Sequence, residues 1–350
     1  MAAFSEPVRN PVTTHTCFQH LPLVDISGLY APDLPTRQAT ARALGQAAHE
    51  AGFLYITGHP LQPANFQSLV DITRAYFSQP LDRKMQDYIG QSSNHSGYVP
   101  MGEEQFASGS IDHKEAYDIG YDYLAEQDRR PMLGATQWPD FPGFKSTVQA
   151  YYREALQLGN TLFRGFALAL GLDEDYFETI TLNPPSQLRL IHYPFNLAAS
   201  DKPGIGAHTD YECFTILFPT QDGLEVMNGA GDWIDAPVIE GALVVNIGDM
   251  MEILSNGYFM ATSHRVRKVQ QERYSFPLFC ACDYDTLIQP IAGLKPHRAD
   301  KLYQPLYCGD HLYAQTIQTF AYLKKRLAEG QIRLPQNSQA LSSFGHLTQS

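Results

Sequence analysis

Cysteine is scarce in this chain of 350 residues: there are five, at positions 17, 213, 280, 282 and 308. The number is odd and the spacing irregular, which excludes a disulfide-stapled module and suits a reducing compartment. Cys280 and Cys282 are separated by one residue, not the two of a zinc knuckle or thioredoxin pair, so both read as ordinary buried thiols. Long apolar runs are missing, and the opening MAAFSEPVRN carries no charged leader followed by an apolar stretch. The expectation is a cytoplasmic protein with no membrane span. Basic charge is also short: 25 Lys and Arg stand against 37 Asp and Glu, for a net charge of −12. With no basic cluster to override that sign, nucleic acid and anionic lipid are excluded as partners.

What remains is a globular composition, 44% hydrophobic and 18% charged. A chain of this size buries about 75% of the surface its unfolded form exposes, enough for a large core. Residues 1–19 and 337–350 are polar and aperiodic, and are expected to be loosely held tails. LPLVDI at 21–26 reads as a strand, 36–51 as a helix stopped by Gly52, FLYIT at 53–57 as a buried strand and 64–77 as a second amphipathic helix. Residues 92–138 show no sustained period and are expected to be irregular. From Phe144 to Ala169 the apolar positions recur at steps of three and four, which predicts one long helix serving as a spine. After Pro185 the pattern changes to short β-type runs at 187–192, 214–218, 223–226, 243–247, 264–269 and 273–282, followed by a last helix over 315–327. Such strands predict an antiparallel barrel or jelly roll, not a βαβ sheet. The fold class is α+β with a mainly β core. Residues 20–140 form an N-terminal mixed region, and 141–330 hold the spine helix and the jelly roll, the two making one structural unit.

The chemistry concentrates in GIGAHTDYECFTILF. His208 and Asp210, two apart at the start of a strand-like run, are expected to project from one face. His264 opens another strand-like run in ATSHRV. Two imidazoles and one carboxylate match the facial triad of non-haem Fe(II), which leaves coordination positions open, although Zn(II) accepts the same donors. Beyond it, Arg273 and Ser275 share a strand face, and a guanidinium beside a hydroxyl makes a receptor for a carboxylate. His192 falls on the opposite strand face from Tyr193 and reads as structural.

These segments resemble the isopenicillin N synthase-like family of 2-oxoglutarate and Fe(II)-dependent dioxygenases. The carriers are HTD at 208–210, SHRV at 263–266 and RYSFPLF at 273–279, supported by LPLVDISGL at 21–29, AGFLYITGHPL at 51–61, LRLIHYP at 188–194 and NIGDM at 246–250. The resemblance implies a double-stranded β-helix, the cupin-like jelly roll. It also implies His208, Asp210 and His264 as iron ligands, with Arg273, Ser275 and Tyr193 on the distal carboxylate of 2-oxoglutarate. Where plant-type members often read Asn-Tyr-Tyr-Pro, this chain has Ile191-His192-Tyr193-Pro194, so an amide near the co-substrate is missing. The implied reaction consumes O2, splits 2-oxoglutarate to succinate and CO2, and oxidises a C–H bond of a small-molecule substrate, hydroxylation being the default.

Leu217, Val266 and Phe279 are candidate apolar walls around the keto acid, and Tyr98, Met101, Phe106 and Tyr117 candidate substrate contacts. The expected state is a monomer or weak homo-oligomer. Two alternatives stay open at this level: an isopenicillin N synthase-like oxidase that uses O2 without 2-oxoglutarate, and a metal- or small-molecule-binding module with no redox turnover.

Overall fold

The computed structural model describes residues 16–104, 112–122, 130–195, 204–268, 270–297 and 303–336. A short strand, β1 (Leu23–Asp25), leads into α1 (Leu34–Ala51). The Asp33 side chain caps this helix by accepting a 2.9 Å hydrogen bond from the Thr36 amide, and Pro35 sits in its first turn. Gly52 ends it at φ 65°, where a Cβ would lie 2.4 Å from the Met260 carbonyl oxygen. The chain therefore turns straight into β2 (Phe53–Thr57), followed by α2 (Pro63–Phe77) and the one-turn α3 (Leu81–Lys84).

Residues 92–138 are not wholly irregular. They contribute β3 (Gly97–Val99) and β4 (Glu115–Ile119), every residue of which is buried. The sequence pattern hides β4 because Glu115 and Asp118 break the apolar alternation, and both find ion-pair partners in the interior. The spine helix forms as expected: α4 (Phe144–Ala169) buries Phe144, Val148, Tyr151, Ala155, Leu158, Leu162 and Phe166 against α1, α2 and the sheet.

The β-rich half runs β5 (Gln187–Tyr193), β6 (Ile205–His208), β7 (Phe214–Pro219), β8 (Leu224–Met227), β9 (Trp233–Ala236) and β10 (Leu243–Ile247). After the short α5 (Asp249–Leu254) come β11 (His264–Val266), β12 (Arg273–Cys280), β13 (Leu287–Ile288) and β14 (Leu306–Tyr307). The large sheet has the order β1-β2-β10-β7-β12-β5-β4-β3, and a four-stranded sheet the order β6-β11-β8-β9. Apart from the parallel β1–β2 pair, neighbours in both are antiparallel. Residues of both sheets line one cavity between them, which is the jelly roll predicted from the strand pattern.

The expected last helix is two helices, α6 (Cys308–Thr319) and α7 (Ala321–Ala328). Phe320 separates them in an extended conformation, φ −90° and ψ 131°. The break has a tertiary cause. Phe320 forms a β-bridge with Glu104, and its ring packs 4.4 Å from that of His95 with the Arg189 guanidinium 5.5 Å away.

Candidate active site

His208 is the last residue of β6 and His264 the first of β11, and the antiparallel register sets them directly opposite each other. Their rings lie 4.3 Å apart. Asp210 is not on a strand, so it does not reach the same place by strand alternation. It lies in the loop between β6 and β7, and that loop turns its carboxylate back toward the two rings. Asp210 Oδ1 stands 3.7 Å from His208 Nε2 and 3.5 Å from His264 Nε2.

Local hydrogen bonds fix these orientations. His208 Nδ1 lies 2.8 Å from the Gly206 carbonyl oxygen, and His264 Nδ1 3.2 Å from that of Thr262. With Nδ1–H donating to a carbonyl, each ring turns the lone pair of Nε2 toward Asp210. Asp210 Oδ2 accepts from the Asn246 amide at 2.7 Å and from the Thr215 hydroxyl, which leaves Oδ1 to face the rings. The loop itself is clamped from behind by the turn into α5: the Asp249 amide donates to the Asp210 carbonyl, Gly248 to Cys213 and Met250 to Glu212. A Cβ at Gly248 would lie 2.3 Å from the Glu212 carbonyl oxygen, so only glycine permits this approach.

Electrostatics agree with a site built for a cation. Burial and the neighbouring His264 hold His208 below its usual range, so the ring is neutral. Burial pulls the other way on Asp210, but the two imidazoles and the Asn246 and Thr215 hydrogen bonds outweigh it and keep the carboxylate ionised. Two imidazole nitrogens and one carboxylate oxygen, mutually within 4.8 Å, are a fitting donor set for a divalent transition metal.

Across the cavity, Arg273 opens β12 directly opposite Tyr193 of β5. Its guanidinium is 1% exposed and stacks 4.7 Å from the Tyr193 ring centre. Nε donates to the Gln221 carbonyl at 3.0 Å, whereas Nη1, Nη2 and the Tyr193 hydroxyl have no hydrogen-bond partner among the described residues. Ser275 borders the same cavity of about 570 Å³, as do Leu217, Val266 and Phe279. Orphaned buried donors are costly, and a carboxylate placed here would satisfy them.

The expected substrate contacts are not brought together. Tyr98 donates to Glu115 at 2.5 Å and Tyr117 to the Gln137 carbonyl at 2.6 Å, both deep in the core against Tyr76. Met101 is 54% exposed in a turn, and Phe106 lies outside the described residues. An irregular segment gave no means of telling a wall from a core strand. His192 is structural as expected: it is stacked between Phe77 and Tyr274, with Nδ1 2.8 Å from Glu115 and Nε2 2.5 Å from Glu272.

Several residues at the site escaped the sequence reading. Asn246 and Thr215 were inside quoted motifs but looked like ordinary strand residues. Arg189, Asp118, Glu104 and Lys114 form a buried ion-pair network beside the triad, in which Arg189 grips Asp118 with two bonds of 2.7 and 2.6 Å and reaches Glu104 at 2.7 Å. Lys114 pairs with the same Glu104 and borders the Arg273 cavity. Glu212 is 8% exposed, and burial together with Asp210 pushes its carboxyl up to about 8, the backbone amides of Tyr211 and Glu212 itself countering only in part.

Comparison with known proteins agrees with this geometry. Residues 184–281 match the model of the 2OG-Fe(II) oxygenase superfamily, and residues 21–141 that of the non-haem dioxygenase in morphine synthesis N-terminal family. A homoarginine-6-hydroxylase of Oryza sativa subsp. japonica is 32% identical, the match covering 87% of this chain and 98% of the relative. The chain belongs to the 2OG-Fe(II) oxygenase superfamily. A 2-oxoglutarate-Fe(II) type oxidoreductase of Emericella nidulans is 29% identical over 88% of the chain and 93% of its own length. Among solved structures, a full-length Neurospora crassa protein in complex with alpha-KG superposes with a TM-score of 0.74 at 28% identity, covering 88% of this chain and 96% of that one. This dioxygenase therefore uses Fe(II), 2-oxoglutarate as co-substrate, and O2. No described helix of the oxygenase is long and apolar enough to cross a membrane.

Proposed function

We propose that this dioxygenase hydroxylates a C–H bond of a small molecule, with His208, Asp210 and His264 holding Fe(II) and Arg273, Ser275 and Tyr193 receiving the distal carboxylate of 2-oxoglutarate. The observation that carries the reading is the pairing of a convergent two-nitrogen, one-oxygen donor set with a buried guanidinium across the same cavity whose Nη1 and Nη2 have no partner among the described residues. Bound Fe(II) would couple reduction of O2 to oxidative decarboxylation of the keto acid, giving succinate and CO2, and to oxidation of the substrate.

The residues of the chain supply positioning. Arg273 offers two parallel donors that fix one end of the co-substrate, and the stacked Tyr193 ring keeps the guanidinium from swinging away. Asn246 and Thr215 hold Asp210 so that one oxygen only faces the metal site. Leu217, Val266 and Phe279 exclude water from the space between. Curated relatives carry the name homoarginine-6-hydroxylase, and a solved neighbour holds thymine, which supports hydroxylation of a small polar substrate here.

Anaerobic Fe(II) protein mixed with 2-oxoglutarate is expected to develop a visible metal-to-ligand charge-transfer band, and under air to release succinate on adding substrate. Asp210→Ala is expected to abolish tight iron binding while the fold persists, because the carboxylate faces a cavity and not packed core. Full iron occupancy in that variant would falsify the ligand assignment.

A further inference from the structure

The cavity does not end at the triad. Past Asp210 lies a second lobe, which shares His208, Asp210 and Phe279 with the first cavity but is not bordered by Arg273. An ionic group in such a lobe either has a partner in the protein or awaits one from a ligand.

Nearly every polar group there is already engaged. Arg189 is held by Asp118 and Glu104, and Glu104 is shared with Lys114. His95 Nδ1 lies 2.7 Å from the Tyr322 hydroxyl, and burial lowers its pKa to about 3, so it is uncharged. Thr316 donates to the Leu312 carbonyl at 2.7 Å and Thr319 to that of Gln315 at 2.9 Å. The Tyr211 hydroxyl is 3.3 Å from Thr319 Oγ1.

Glu212 is the exception. It borders the lobe, is more than nine-tenths buried, and its carboxyl meets only the backbone amides of Tyr211 and of Glu212 itself, with no salt bridge or hydrogen-bonding side chain among the described residues. Its backbone is fixed, since the Met250 amide donates to its carbonyl oxygen. The rest of the wall is Thr209, Gln187, whose amide donates to the His95 carbonyl at 3.2 Å, and apolar side chains, of which Met132, Phe279 and Phe320 offer contact to an aliphatic stem.

We propose that this lobe receives the cationic end of the prime substrate, an ammonium, amidinium or guanidinium group that pairs with Glu212, while the aliphatic stem lies along Phe279 and Phe320. The inference rests on the function proposed above and narrows its substrate class to small basic molecules. An anionic end would meet Glu212 and Asp210 with both nearby cations already paired, and a neutral apolar end would leave the Glu212 carboxyl with no partner beyond two backbone amides.

The test uses the Fe(II)- and 2-oxoglutarate-loaded protein without oxygen. Arginine and homoarginine are each compared with their neutral isosteres, citrulline and homocitrulline, by calorimetry and by perturbation of the charge-transfer band. At least one cationic member is expected to bind tenfold or more tightly than its isostere, and Glu212→Gln to reduce that preference to threefold or less. The inference is overturned if no cationic member is preferred, or if the preference survives in Glu212→Gln. Should the variant not fold, the unsubstituted protein decides alone. Absence of the band with 2-oxoglutarate defeats the proposed function and this inference with it, whereas a band without cation preference defeats only the inference.

Discussion

Arg189 on β5 and Arg273 on β12 belong to adjacent strands of the large sheet, and both are taken out of bulk water, yet their surroundings are opposite. Arg189 is saturated, with a two-bond grip on Asp118 and a third contact to Glu104. Arg273 spends one nitrogen on a backbone carbonyl and leaves Nη1 and Nη2 unpartnered, and burial lowers its pKa from the usual value. A buried charge that is fully paired belongs to the scaffold, because removing it strands its partners. A buried charge with donors left over is held in place by the rest of the fold and is satisfied only when a ligand arrives. The same distinction separates Glu104, paired with Arg189 and Lys114, from Glu212, which forms no salt bridge among the described residues.

The comparison predicts a graded set of outcomes. Arg189→Met should cost about 3–5 kcal/mol of stability, read from the urea midpoint, because it leaves Asp118 an uncompensated buried charge and Glu104 with Lys114 alone. Arg273→Met should leave stability unchanged or slightly improved, and an equal loss in both variants would erase the distinction. The effect of Arg273→Met should appear instead in co-substrate affinity. Titration of the anaerobic charge-transfer band should show 2-oxoglutarate binding weakened by about 2–3 kcal/mol, on the order of 30- to 150-fold.

Asn246→Ala removes a hydrogen bond to Asp210 without touching the metal site itself. Metal titration should show affinity lowered by about 10- to 100-fold. An unchanged affinity would mean that Thr215 and the backbone clamp suffice to aim the carboxylate. The smallest effect concerns a third kind of buried group, one that avoids charge. His311 is 1% exposed with neither ring nitrogen partnered among the described residues, and burial lowers its pKa to about 4. The folded state thus takes up its proton later than the unfolded state, whose histidine titrates near about 6.5. Its contribution to stability is complete above about pH 6.5 and is lost as pH falls through 4, at no more than about 1.4 kcal/mol per pH unit. Urea midpoints at pH 7, 5.5 and 4.5 should decline less steeply in His311→Gln than in the unsubstituted protein.

Much of the architecture was legible because its causes are local. The stop of α1 at Gly52, the apolar stripe of α4 and the strand runs of β7, β10 and β12 follow from neighbours a few residues apart. The triad residues and Arg273 were legible from motif and spacing, even though the geometric reason first given for Asp210 was wrong, since it sits in a loop and not on a strand. Strand β4 was not legible, because Glu115 and Asp118 look like surface residues until Lys84 and Arg189 appear beside them. The break at Phe320 was hidden for a similar reason. Nothing near it in sequence stops a helix, and its bridge partner Glu104 comes from the opposite half of the chain.

The amino-acid order alone determined which side chains carry chemistry and in what local frame, because capping, periodicity and short motifs act within a turn or two of backbone. Which of those side chains are paired and which left waiting was decided by the folded molecule, through contacts such as Arg189 with Asp118 and Asn246 with Asp210 that join residues far apart in the chain. The physical reason is that the strength of a charge depends on what surrounds it, and that surrounding exists only once the sheets have closed.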